Sequence, residues 1–484
     1  MYKTSQRLLD LDFQSLKIAS ILFCGVLIGY LLLNFRLPLI IGAFGGVMFM
    51  LLAFADFRKA LIVAVFLLLF FPTQAYVEIS RSLPIITVQR AVLMVIFAVW
   101  GVKMAINKGS KIKTPFIPFM IAFAVFSLFS VIFSVDLRTS SLRYLSVITE
   151  YFLLYLVIAT SLKDEETINN VLFTLVLAVG VIAIIGVIEK RTGWSPVDYL
   201  PRPSREILFY QGQEGVISTT PGPIALGTVM VMAWPFALVV ACHARSIFKR
   251  YTAWVLLPVM MLCLYYSSKR GPWLAGLITI FIMVTGSKRM RKKLGVLIFM
   301  GLLLISLRPG VIKTISAIGK DSVDPNSVLY SSYIYRFDLL RVVIHAISVH
   351  PLRTLFGFGS GASDSLKLVG QHIEKVYIFS DIVSSYIGFL LNTGVLGLFC
   401  MAALLIRISL YIWKGYKLAE GFQKKVLLAS FSSIIAFLFQ MINAPVYGWR
   451  QTGWLFWIVV GIAVVLIENE KVTRKRLYEP CTYK

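Results

Sequence analysis

The feature that most constrains this chain is a succession of apolar runs, each close to the roughly 20 residues a helix needs to cross a hydrocarbon core of about 30 Å, separated by short basic loops. About 14 such runs fall near residues 16–35, 38–55, 58–73, 88–106, 115–134, 144–161, 167–189, 222–243, 251–267, 271–286, 293–308, 385–410, 426–444 and 452–468. In hydrocarbon a helix satisfies its own backbone groups. The expected fold class is therefore all-α, a polytopic integral membrane protein with about 14 transmembrane helices. Composition agrees, since 58% of the 484 residues are hydrophobic and mean hydropathy is +0.81, far from soluble averages.

Charge adds sidedness. Only 15% of residues are charged, yet the formal net charge is +25, scattered over many short loops instead of forming one stripe or tail. That distribution fits membrane topology better than a nucleic-acid partner, and no nucleic acid is expected. Under the positive-inside rule, a cytoplasmic N-terminus puts the loop of Lys103, Lys108, Lys111 and Lys113, the stretches "ARSIFKR", "SKRMRKK" and "YKLAEGFQKK", and the tail "KVTRKR" inside. Both termini are then cytoplasmic. Residues 190–221, the turn at Lys269 and Arg270, and residues 309–384 fall outside. These outer segments also carry more Lys and Arg than Asp and Glu, which the rule does not predict. They either meet lipid headgroups or build a site for something strongly negative. The cysteines Cys24, Cys242, Cys263, Cys400 and Cys481 show neither metal spacing nor a disulfide framework. An Asp-x-Asp pair, Asp10 and Asp12, precedes the first run on the cytoplasmic side, so no metal site and no cofactor are expected. No cleavable signal peptide is expected either.

The largest outer segment contains a helical pattern. In "YIYRFDLLRVVIHAISV", Ile334, Phe337, Leu340, Ile344 and Ile347 recur at steps of three and four and predict one apolar face, with Asp338, Arg341, His345 and Ser348 opposite. Arg336 lies about 50° from the apolar centre; it points toward the bundle or a cavity, or snorkels along it. The residue before Pro351 is pushed out of the α region, which ends the helix, and "GFGSGAS" follows as a flexible, phosphate-compatible turn. Earlier, Arg202 and Arg205 precede "GVISTTPGPIALG". There, Pro and Gly at a helix start either leave N–H groups for an anion or serve as ordinary caps.

Four segments, "GVISTTPGPIALG", "SSKRGPWLAG", "YRFDLLRVVIHAISVHPLRTLFGFGSG" and "SSYIGFLLNTGVLG", resemble in order and spacing the O-antigen ligase and polymerase family of bacterial inner membranes, over roughly residues 200 to 410. The resemblance implies a metal-independent glycosyltransferase in the inner membrane. Such an enzyme takes a glycan from undecaprenyl diphosphate at the periplasmic face and joins it to a sugar acceptor, lipid A core or a growing glycan. Residues 1–189 are then N-terminal transmembrane helices, 190–410 the catalytic region with its periplasmic loop 309–384, and 411–484 the C-terminal helices and cytoplasmic tail. The partners are the lipid-linked glycan, the acceptor and the bilayer.

The residue types suit that chemistry. A diphosphate is already a good leaving group, so the transition state needs cationic support more than a general acid, and Arg supplies it through a fixed fork that stays charged when partly buried. By motif, Arg270 and Arg336 bind the diphosphate, with Lys269 assisting and Arg205 and Arg341 as further substrate-binding candidates. The family's His before the Tyr-Leu span is missing; Val383 and Ser384 stand in that region, which leans the reading toward a polymerase. Asp381 and His345 remain as candidates to activate the acceptor hydroxyl, and Asp381 is equally placed to cap a helix. A transporter or flippase of lipid-linked glycan is the rival. It predicts ionisable groups at mid-membrane and related halves, whereas only Glu150 stands within a run and no repeat relates the halves.

Overall fold

The computed structural model describes residues 37–73, 76–77, 86–106, 114–199, 215–286, 295, 328–362, 369–372, 375–378 and 382–478. In chain order its helices are α1 (Leu37–Ala55), α2 (Phe57–Phe70), α3 (Val88–Ile106), α4 (Ile117–Ile132), α5 (Leu137–Ser161), α6 (Glu165–Thr192), α7 (Pro223–His243), α8 (Ile247–Tyr266), α9 (Arg270–Gly286), α10 (Val328–Ser348), α11 (Pro351–Phe356), α12 (Ser385–Leu418), α13 (Gly421–Asn443) and α14 (Arg450–Tyr478). Two short antiparallel ladders accompany them: Tyr76–Val77 with Ile86–Thr87, and Val369–His372 with Lys375–Ile378. Among the described residues, eight helices are long and apolar enough to cross a membrane: α3, α5, α6, α7, α8, α12, α13 and the Arg450–Glu470 part of α14. Phe44–Ala55, α4 and α9 are shorter apolar helices. The protein is a polytopic helical membrane protein. The runs expected at 16–35 and 293–308 lie outside the described residues.

Two helices form the axis. The apolar windows of α7 and α14 are each 94% buried within the protein, against 28% for α3 and 33% for α8. A helix that is apolar all round is buried on every side, by protein or by lipid, so burial by protein depends on neighbours. Helix α7 packs against α6, α8, α9, α13 and α14, and its Trp234 donates to Thr279 Oγ1 of α9 at 2.9 Å. Close crossings use small residues, as membrane helices do: Gly180 of α6 faces Leu256, and Gly186 faces Cys263.

Helix ends gather at two poles. At one, Arg58 at the start of α2 pairs with Asp164, the N-cap of α6, at 2.9 Å, Asn469 of α14 donates to the Lys163 carbonyl at 3.1 Å, and Tyr416 donates to the Gly286 carbonyl at 2.8 Å. At the other, Gln89 at the start of α3 and Gln451 at the start of α14 both donate to the carbonyl of Phe71, just past α2.

The segment expected to lie outside departs from the expected pattern in two ways. Helix α10 forms, but its buried face is Leu339, Val343 and Ile347, while Phe337 and Ile344, expected on the buried face, are exposed. Asp338, expected on the polar face, is buried. The periodicity marks where apolar side chains lie, and a helix beside a bilayer has two apolar outlets, protein and lipid; packing on α11 and α12 selects the first. Second, the turn expected to be flexible and phosphate-compatible is held in place over Gly357–Ala362. Gly394 at φ 65 breaks α12, and the carbonyls of Leu391 and Asn392 accept from the amides of Phe358 and Gly359, each at 2.9 Å. Gly357, at φ 72, lies so close that a Cβ there would stand 2.6 Å from the Asn392 carbonyl carbon. Those amides are consumed in holding α11 to α12.

Candidate functional site

The turn between α8 and α9 is built by its serines. Ser267 donates its amide to the Cys263 carbonyl at 2.9 Å and its hydroxyl to the Leu264 carbonyl at 2.6 Å, and Ser268, at φ 53, reverses the chain. Trp273 locks the turn by donating to the Leu264 carbonyl at 3.0 Å and stacking on Tyr265 at 5.9 Å. Helix α9 then starts at Arg270, with Pro272 in its first turn, where the missing N–H would have had no partner in any case. The free first-turn amides carry partial positive charge, so Lys269 and Arg270 sit where the helix dipole disfavours cations. Burial presses the Lys269 ammonium below the usual lysine range. An anion at this turn relieves both penalties.

Gly271 brings this turn against the end of α13. A Cβ there would lie 3.0 Å from Oε1 of Gln440 and 3.7 Å from Cβ of Asn443. The same helix end receives Arg336 from α10: its Nη2 donates to the Asn443 carbonyl in a long 3.5 Å bond, while its Nε is buried without a partner. Burial pulls the Arg336 pKa down, but a guanidinium remains charged. The C-terminal carbonyls of α13 attract it, as such ends attract cations. They satisfy only part of the fork.

Polar bonds tie the surrounding elements to this pole. Ser384 donates to the Met441 carbonyl at 3.1 Å, Ser385 to the Ala444 carbonyl at 3.0 Å and Tyr386 to the Leu438 carbonyl at 3.2 Å, so the start of α12 is pinned along the end of α13. Tyr151 donates to the Tyr447 carbonyl at 3.0 Å. Its neighbour Glu150, in the π-helical stretch Val147–Leu153 of α5, is buried between Arg90 at 2.9 Å and Arg450 at 3.1 Å. Glu150 thus closes a charge cluster at the helix ends. In the loop before α7, the Glu189 carboxylate accepts the amides of Ile217 at 3.2 Å and Ser218 at 2.6 Å. Those loop amides do bind an anion, but it is the protein's own.

Of the residues expected to bind substrate, the structure brings Lys269, Arg270 and Arg336 to one helix end. Arg341 and His345 are exposed on α10, turned about 140° and 180° from Arg336 at 100° per residue, and His345 lies some 13 Å along the axis. His350 caps α11, its carbonyl accepting Arg353 and Thr354 amides. Arg205 and Asp381 lie outside the described residues. Sequence reasoning did not single out Gln440, Asn443, Arg90 and Arg450. A buried carboxylate such as Glu150 requires a cation, which was a signal for the last two; nothing in an apolar run marks Gln440. Among the described residues no three of His, Cys, Asp and Glu gather into a metal-holding group.

No curated protein matches the chain. The family model described as O-antigen ligase matches residues 255–402, a span that includes Lys269, Arg270 and Arg336 but not the end of α13 that they approach. Over that span, about a third of the chain, this multi-pass membrane protein is similar to the O-antigen ligase family.

Proposed function

We propose that the protein is a metal-independent glycosyltransferase that transfers or polymerises undecaprenyl-diphosphate-linked oligosaccharide at the periplasmic face of the inner membrane, with both termini cytoplasmic. The observation that carries the reading is the convergence of Arg336 and the Lys269–Arg270 turn on the C-terminal end of α13, with Arg336 Nε buried and unpartnered. The acceptor hydroxyl oxygen forms a bond to the anomeric carbon as the carbon–oxygen bond to the diphosphate breaks, and the electron pair leaves with undecaprenyl diphosphate. Arg270 and Arg336 hold the charge that develops there, with Lys269 beside them. Asp381 receives the proton from the acceptor, since His345 faces away from Arg336 on α10; Arg205 and Arg341 bind along the glycan.

Arg336→Ala and Arg270→Ala are expected to insert normally and to accumulate unextended lipid-linked glycan, with transfer falling about 10²- to 10³-fold, as for loss of one transition-state donor. Full-length polymer in both variants refutes the site. Glycan trapped on the cytoplasmic side would indicate a flippase instead. In a deletion strain, gel analysis of surface glycan separates a ligase, which leaves no attached chains, from a polymerase, which leaves single repeats.

A further inference from the structure

The last turn of α13 holds polar atoms that have no hydrogen-bond partner among the described residues. The Gln440 side chain is 0% exposed, and neither its Oε1 nor its Nε2 has a hydrogen-bond partner. Other buried carboxamides differ: Gln89 and Gln451 lack a partner only at Oε1, and each spends its Nε2 on backbone carbonyls. Among the described residues, Gln440 is the one carboxamide with both ends orphaned. Leaving a buried polar group unpaired is costly, whereas an apolar side chain of the same length would fit α13 without that penalty. The amide lies against the first turn of α9, its Oε1 next to Gly271, and one helical turn before the Asn443 carbonyl that Arg336 reaches.

Resting on the diphosphate reading of Lys269, Arg270 and Arg336, we propose that Gln440 is a specificity-determining residue that hydrogen-bonds the sugar carried on that diphosphate. Its Nε2 donates to one sugar oxygen while its Oε1 accepts from a neighbouring hydroxyl. A carboxamide presents a donor and an acceptor side by side, and adjacent sugar hydroxyls both give and accept. A phosphate only accepts, so it suits the three cations and would set its charge against Oε1. The division of labour follows: the cations take the diphosphate and the amide reads the sugar.

The test uses the full-length protein in lipid nanodiscs, with undecaprenyl diphosphate and its glucosyl, galactosyl and N-acetylglucosaminyl derivatives as probes. The wild type is expected to bind at least one sugar-bearing probe about tenfold tighter than the bare diphosphate, roughly what one or two hydrogen bonds supply. Gln440→Met erases that preference, leaves affinity for the bare diphosphate unchanged, and melts at the same or a higher temperature because it removes an unpaired amide. If the Met variant does not fold, Gln440→Asn, which withdraws the amide by one methylene, is read the same way. A Met or Asn variant that keeps the sugar preference, as expected if buried water alone satisfies Gln440, overturns the proposal, and so does a wild type with no preference. Arg336→Ala weakens all four probes; unchanged affinity for the bare diphosphate there sinks the diphosphate reading, whatever Gln440 does.

Discussion

The two poles of the bundle handle charge in opposite ways. At the pole of α2, α6 and the end of α14, charged groups stay in contact with solvent: Arg58 and Asp164 keep 57% and 39% of their side-chain surface exposed, and Lys103 and Lys417 lie over the rings of Phe57 and Trp413. At the other pole Glu150 keeps 6%, shared between Arg90 and Arg450, Glu189 is buried against loop amides, and Arg336 and Gln440 are buried in part or in full with polar atoms unused. Exposed cations are inexpensive and suffice to orient a membrane protein. Buried polar groups carry a desolvation cost. The first pole also holds buried unpaired oxygens, at Thr114 and Gln423, but the buried carboxylates Glu150 and Glu189 lie toward the second.

Three substitutions grade this contrast. The largest effect is expected from Glu150→Gln, which removes the buried carboxylate shared by the Arg90 and Arg450 guanidiniums and costs about 3 kcal/mol. Thermal unfolding in detergent measures it, and replacing Arg450 by Gln in the same chain should recover part of the loss. Next comes Glu189→Ala, which leaves the buried amides of Ile217 and Ser218 unpaired, at about 2 kcal/mol; proteolysis within residues 215–222 should rise. Smallest is Arg58→Ala at the solvent-facing pole, within about 0.5 kcal/mol and with transfer activity unchanged. Equal losses for Arg58→Ala and Glu150→Gln would erase the distinction between the poles.

Much of the fold was legible because hydrocarbon thickness imposes one length on every crossing helix. The runs at 88–106 and 222–243 match α3 and α7 to within a residue, and even the tight pair about residue 270 forms as α8 and α9. Run boundaries failed where a helix leaves hydrocarbon without losing its hydrogen bonds: α12 continues to Leu418. Helix α10 was legible as a helix but not in its orientation, because Phe337, Ile344 and Val343 look alike to a periodicity that cannot tell lipid from protein. The glycine-rich turn was read as flexible and phosphate-compatible because of its composition; the carbonyls of Leu391 and Asn392 that take up its amides, beside the kink at Gly394, lie about thirty residues away.

The sequence by itself determined that this chain is a helical membrane protein built on apolar runs, and that Lys269, Arg270 and Arg336 stand outside those runs. Length, hydropathy and charge are local properties, and the bilayer reads them locally. Only the tertiary structure decided that Arg336 and the Lys269–Arg270 turn share the end of α13, that Glu150 belongs to Arg90 and Arg450, and that Gln440 is buried with both ends unused. Each of these joins residues tens to hundreds of positions apart, and such meetings depend on which helices pack side by side, a choice that apolar runs of similar length and composition leave open.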